Sequence, residues 1–169
     1  MKTTFKILAL LVAMVGFSAA SYSQTVTASA TIVTPVSVTG VDNLQFGNIN
    51  ASGSGTVILS TTGSRTPSSG ITLPSILGDP KAAKFTVAGQ ANFTFSIQLP
   101  SSVTLNHSSG AGTGTMTVGT FTSDPATTGT LDGSGTKDVL VGATLTIGAA
   151  QAPGTYTSAT PFTITVAYN

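Results

Sequence analysis

The sequence predicts an all-β protein folded as a two-sheet sandwich, and three observations predict it. Short runs of alternating apolar and polar residues recur roughly every ten residues, separated by Gly, Ser, Asn and Pro, which is the pattern of strands joined by turns. Thr, Ser and Gly fill most polar positions with Val, Ile, Leu and Phe between them, a mixture suited to pleated, half-buried strands. Helix signals are almost missing: only Ser75–Ala83, framed by Pro74 and Pro80, could hold a helical turn. Roughly nine or ten strands are expected. No fixed-period repeat occurs, which argues against a β-solenoid.

Lys2 and Lys6 precede the apolar run Ile7–Phe17, which gives way to the small-residue stretch SAASYS. A basic start, an apolar middle and a small-residue end form the pattern of a secretory signal peptide, assigned to residues 1–23. Cleavage after Ala20 or after Ser23 would satisfy it. The apolar run is about half the roughly 20 residues that a membrane-spanning helix needs, and no second run of spanning length follows. The expectation is an exported chain without a membrane span.

Residues 24–34 place Val26, Ala28, Ala30 and Ile32 on one face, with Thr or Ser mostly between them. Side chains alternate faces along a strand, so this segment reads as a strand with one apolar stripe. Pro35 removes a backbone donor and biases Thr34 to an extended conformation. The segment before it can therefore project from a domain that starts at residue 35. The simpler alternative is an edge strand carrying a protective proline. Val36–Val41 follows, then Leu44, Phe46 and Ile49 in LQFGNI, and a Ser/Gly turn into TVILS.

The polar turn TTGSRTPSSG precedes Ile71–Leu73 and KFTVAG. The strongest internal strand is NFTFSIQLP, with Phe93, Phe95, Ile97 and Leu99 on one face. TMTVGTF and DVLVGATLTIG come next, the latter bringing Val139, Val141, Leu145 and Ile147 together. The last segment, PFTITVAYN, puts Phe162, Ile164, Val166 and Tyr168 on one face. A strand at a free end carries unpaired N–H and C=O groups as well as its apolar stripe, so it needs a partner. Two such segments in one chain suggest β-strand addition, in which the first segment of one copy completes the sheet of another.

The composition excludes several kinds of chemistry. Beyond the leader the charges are Arg65, Lys81, Lys84 and Lys137 against Asp42, Asp79, Asp124, Asp132 and Asp138, with no Glu. So balanced a chain has no electrostatic footprint for nucleic acid or anionic lipid. The lack of cysteine removes disulfides, thiolate metal sites and a cysteine nucleophile. His107, the single histidine, lies in a polar NHSSG stretch, and no G-x-S-x-G elbow is present to build a triad. Scattered aspartates without Glu give no paired carboxylates. Asp132, Ser134, Thr136 and Asp138 alternate like calcium-loop ligands. Lys137, however, stands where that loop needs Gly, and Ala143 where it needs Glu, so a hairpin loop is expected. No catalysis, metal or cofactor is expected.

The order ATIVTPVSVTG, LQFGNI, TVILS and APGTYTSATPFTITVAYN resembles the exported DUF4402 family of bacterial proteins over nearly the whole chain beyond the leader. Phe46–Gly47 and the turn Pro153–Tyr156 are the most specific parts of that resemblance. More distantly the chain is similar to spore-coat-U-like and archaic chaperone–usher pilin subunits. Those also carry an FG pair after the first strand and finish on GxY followed by an alternating strand.

The resemblance implies an immunoglobulin-like β-sandwich over residues 35–169 that lacks its last strand and is completed by an N-terminal donor strand, residues 24–34, of another copy. Val26, Ala28, Ala30 and Ile32 would be the donor residues, and Phe162, Ile164, Val166 and Tyr168 the edge of the acceptor groove. The implied partners are identical subunits in a head-to-tail polymer and, where assembly is assisted, a periplasmic chaperone and an outer-membrane usher. The implied location is secreted, at the cell surface in an extracellular filament. Two features depart from the pilin pattern: many pilins have a disulfide, and typical ones carry a glycine where this chain has Tyr156. The expected function is a structural subunit of the shaft of a pilus or fibre. The alternative is a self-contained secreted sandwich acting as an adhesin or carbohydrate-binding surface protein.

Overall fold

The structure is a computed structural model that describes residues 21–68, 70–109 and 114–169; residues 1–20 of the expected leader lie outside them. The described residues form strands and no helix: β1 (Ser37–Asp42), β2 (Asn50–Ala51), β3 (Gly55–Leu59), β4 (Arg65–Pro67), β5 (Ile71–Thr72), β6 (Ala83–Ala88), β7 (Thr94–Gln98), β8 (Ser102–His107), β9 (Thr115–Asp124), β10 (Thr128–Thr130), β11 (Thr136–Ile147), β12 (Tyr156–Ser158) and β13 (Thr165–Tyr168). There are more strands than the sequence suggested because β2, β4, β5, β10 and β12 are only two or three residues long. The chain divides into two compact units, Met1–Ile32 and Val33–Asn169. In the first, residues 21–32 form no strand and are all exposed. The second is an all-β sandwich.

β11 organises the sandwich. One of its edges pairs with β6 along Thr136–Val141 and then with β3 along Ala143–Ile147. Gly142 sits where the partner changes, and a Cβ there would collide with the Leu59 carbonyl and the Ser60 backbone. The other edge pairs with β9, with a register shift between Gly142 and Thr144 that accommodates a bulge. The large sheet runs β1-β6-β11-β9-β8-β12, with β3 and β4 branching from β11. A three-stranded sheet, β10-β7-β13, and the small pair β2–β5 complete the architecture, and every pairing is antiparallel.

Alternation along β11 feeds two apolar clusters. Val139 and Val141 join Ala83, Val87, Phe95, Leu131 and Ile164 in the first. Ala143, Leu145 and Ile147 join Phe46, Val57, Leu59, Ile71 and Val118 in the second. Phe95 of β7 is fully buried and packs so closely over β10 that a Cβ at Gly129 would enter its ring. Complete burial of such a side chain contributes about 1.5–3 kcal/mol.

Two expected elements differ. Ser75–Ala83 holds no helical turn, because Gly78 (φ 67°) and Asp79 (φ 57°) lie in the left-handed region that a right-handed helix excludes. Of the final segment only Thr165–Tyr168 is a strand, although Ile164 is buried and Phe162, Val166 and Tyr168 pack against the first cluster as their shared face requires.

Candidate functional site

An open groove of about 1170 Å³ lies over the second cluster. Its floor includes Val103 and Leu105 of β8, Met116 and Val118 of β9, and Leu145 of β11. Val103, Leu105 and Met116 are only partly buried. One wall is the segment 40–51; the other comprises 151–158 together with Pro161 and Phe162. Phe162 packs on Phe85 (ring centroids 5.9 Å) and Phe121 (5.3 Å). Asp42 is the one formal charge among the lining residues, and Asn43, Gln45, Asn48, Asn50 and Gln151 stand on walls above an apolar floor, so the groove suits an uncharged occupant with both apolar and hydrogen-bonding groups.

The first wall is built by the FG pair. Phe46 is buried in the second cluster. Gly47 has φ 68°, and a Cβ on it would collide with the Leu77 carbonyl, so glycine is needed twice over. Asn48 N–H donates to the same Leu77 carbonyl at 2.8 Å, and its side-chain amide donates to Ile76 O at 3.2 Å. Arg65, the only arginine, reaches in from β4: its Nη1 donates to Phe46 O at 2.7 Å and Asn48 O at 2.8 Å. Reciprocal backbone bonds between Gln45 and Lys81, both 2.8 Å, hold the segment just before Phe46.

The second wall is built by the PGTY turn. β12 pairs with the end of β8, Tyr156 opposite His107. The two rings meet edge to face at 4.9 Å, and the Tyr156 hydroxyl donates to Ala152 O at 2.8 Å. His107 Nδ1 accepts from the Ser109 N–H at 3.1 Å, which leaves Nε2–H to donate to Pro153 O at 3.1 Å. A Cβ at Gly154 would strike the imidazole, which accounts for glycine in this turn. His107 is therefore not the solvated turn residue its sequence context suggests; it staples the wall.

Among the described residues β13 pairs with β7 alone. Asn169 N–H donates to Thr94 O at 3.2 Å, so the alternation of an antiparallel ladder turns Ala167 and Thr165 towards β7. The N–H and C=O groups of Val166 and Tyr168 consequently point to the open side. The Tyr168 phenol turns elsewhere: its oxygen accepts from Gln90 N–H at 2.6 Å and donates to Thr34 O at 2.7 Å. The residues expected to edge an acceptor thus fall into three roles. Phe162 lines the groove, Ile164 and Val166 anchor the last strand in the core, and Tyr168 fastens that strand to Thr34.

The expected donor residues are fully presented. Val26 is 91% and Ile32 98% exposed, and Ala28 and Ala30 are exposed too. Residues 24–34 carry no charge.

The DGSGTKD loop joins β10 to β11, and its carboxylate serves the loop itself. Asp132 Oδ1 accepts from Ser134 N–H (2.8 Å), Ser134 Oγ–H (2.6 Å) and Thr136 N–H (3.0 Å). The Ser134 hydroxyl and then the Thr136 amide hold its pKa down to about 2. On the surface Lys84 Nζ lies 2.7 Å from Asp138, whose other oxygen accepts from the Thr86 hydroxyl; this lowers the Asp138 pKa and raises that of Lys84. Among the described residues no group of three or more His, Cys, Asp or Glu converges on a metal position, and no helix is long and apolar enough to cross a membrane.

Residues 36–168 match the model of the family described as a domain of unknown function, DUF4402, and the chain belongs to that family. No curated protein matches it. Both walls of the groove, from Gly40 to Phe162, fall inside the matched region, whereas residues 24–34 precede it.

Proposed function

We propose that this DUF4402 chain is a structural subunit of an extracellular pilus or fibre, serving in its shaft and assembled without covalent bonds by donor-strand exchange. The observation that carries the reading is the last strand, which among the described residues pairs with β7 alone, while Phe162, just before it in the chain, lines an open groove with an apolar floor. Residues 24–34 of a second copy are its occupant. They are uncharged and apolar on alternate positions, as a strand added to such an edge should be.

The magnitudes support a stable junction. Burying Val26 and Ile32 contributes about 1.5–3 kcal/mol each, and Ala28 and Ala30 much less. Each backbone hydrogen bond to the open edge adds about 0.5–1.5 kcal/mol, and ordering the segment costs part of the total. Backbone pairing therefore matters as much as the two large anchors. The subunit is exported by its leader, the fibre is built from identical copies head to tail, and a periplasmic chaperone would cover the groove until an outer-membrane usher exchanged it. It performs no catalysis. The second reading, a self-contained secreted sandwich acting as an adhesin, would require Val26 and Ile32 to be buried against their own domain.

The test is deletion of Gln24–Ile32. Polymers should disappear while a folded, exported monomer persists. Ile32→Asp should weaken polymers far more than Thr31→Asp, because only Ile32 belongs to the apolar stripe. Equal losses from the two substitutions would overturn the assigned face.

A further inference from the structure

We propose that Tyr168 is a positioning residue that couples the acceptor edge of a subunit to the root of that same subunit's donor segment, an inference that rests on the donor-strand reading. Thr34, Gln90 and Tyr168 form a closed ring of hydrogen bonds. Gln90 N–H donates to the Tyr168 oxygen (2.6 Å), the Tyr168 hydroxyl donates to Thr34 O (2.7 Å), and Thr34 N–H donates to Gln90 Oε1 (3.3 Å). One phenol acts as acceptor and donor at once, which phenylalanine cannot do.

The fold makes room for this ring. A Cβ at Gly89 would collide with the Tyr168 hydroxyl, and Phe93 packs edge to face on the phenol at 5.5 Å. Thr34 lies outside any strand, since β1 starts at Ser37, and Pro35 beside it has no N–H to contribute. Its backbone is consequently held by side chains, and it stands two residues beyond Ile32.

Tyr168 faces both ways. Its backbone N–H and C=O belong to the open edge of β13, while its side chain holds Thr34. A strand added to that edge immobilises the Tyr168 backbone, and with it the phenol and the Thr34 carbonyl. An occupied acceptor thereby presents a donor segment whose root is already ordered. The next junction then has less ordering left to oppose it, so growth is cooperative.

Amide hydrogen exchange on the monomeric chain, with and without a synthetic peptide of residues 24–34, tests the coupling. Occupancy is read separately, from slowed exchange at Val166 and Tyr168. With the peptide, the Thr34 and Gln90 amides should slow about 3–10-fold, the effect of firming one or two hydrogen bonds. Tyr168→Phe should keep the occupancy signal and lose the response at Thr34. Gln90→Ala, which leaves the phenol in place, should lose it as well and serves if the first variant does not fold. Slowing at Thr34 that persists in both variants, or that never accompanies an occupied edge, overturns the coupling and leaves the groove reading standing. No slowing at Val166 and Tyr168 overturns the groove reading and the coupling with it.

Discussion

The two apolar clusters line one large sheet, and they differ in what covers them. Over the first, β10-β7-β13 forms a lid; Val87, Phe95, Val139 and Val141 have no exposed surface. Over the second, Ile71 of β5 and Phe46 of the FG segment pack in one cluster with Val57 and Leu59, while Val103, Leu105 and Met116 keep part of their surface in the groove. The closed half supplies the cohesion to fold, and the open half leaves apolar floor that, in the proposed assembly, another strand would cover. Marginal stability makes that division workable only if the closed half is well packed.

Substitutions in the two halves should separate stability from assembly. Phe95→Ala, in the closed half, should have the largest effect, about 3–5 kcal/mol of lost stability by urea unfolding, because it opens a cavity in a fully covered core. Gly47→Ala should cost about 1–3 kcal/mol, since the site demands positive φ and lies against the Leu77 carbonyl; loss of the groove wall should weaken assembly too. Leu105→Ala, on the open floor, should cost under about 2 kcal/mol in the monomer, yet reduce polymer yield measurably. Comparable destabilisation by Phe95→Ala and Leu105→Ala would erase the distinction between the halves.

Acid should have the smallest effect, through Asp132. Its pKa is about 2 when folded, against an ordinary 3.8, so the carboxylate favours the folded state above about pH 4 and that contribution fades as pH falls towards 2. Asp132→Asn should flatten the stability-against-pH curve in that window, as read by thermal unfolding. A curve as steep in the variant as in the parent would place the acid sensitivity elsewhere.

Much of the buried face of the large sheet was legible in the sequence because alternation reports burial directly. Val139, Val141, Leu145 and Ile147 share a face as the pattern required, and Phe95 is the centre of the strand read as strongest. The groove was less legible. The strand that follows its rim residue Phe162 was read as starting there, but the ladder begins at Thr165, since a period of two cannot distinguish a residue in a ladder from one that only continues its face. Arg65 and His107 looked like residues of polar turns. Each works by reaching carbonyls distant in sequence, Arg65 those of Phe46 and Asn48 and His107 that of Pro153, and no local pattern encodes such partners. That Arg65 and His107 are the only Arg and the only His of the chain was the one available signal. The Thr34–Gln90–Tyr168 ring was likewise hidden, because it joins residues from the two ends of the domain.

The most direct test of donor-strand assembly is a denaturing gel of material sheared from the cell surface, run unboiled beside a boiled sample. A ladder that collapses to one band on heating is the required result, and without cysteine it cannot arise from disulfides. A lone monomer band in both lanes would contradict the assembly of this chain into a fibre.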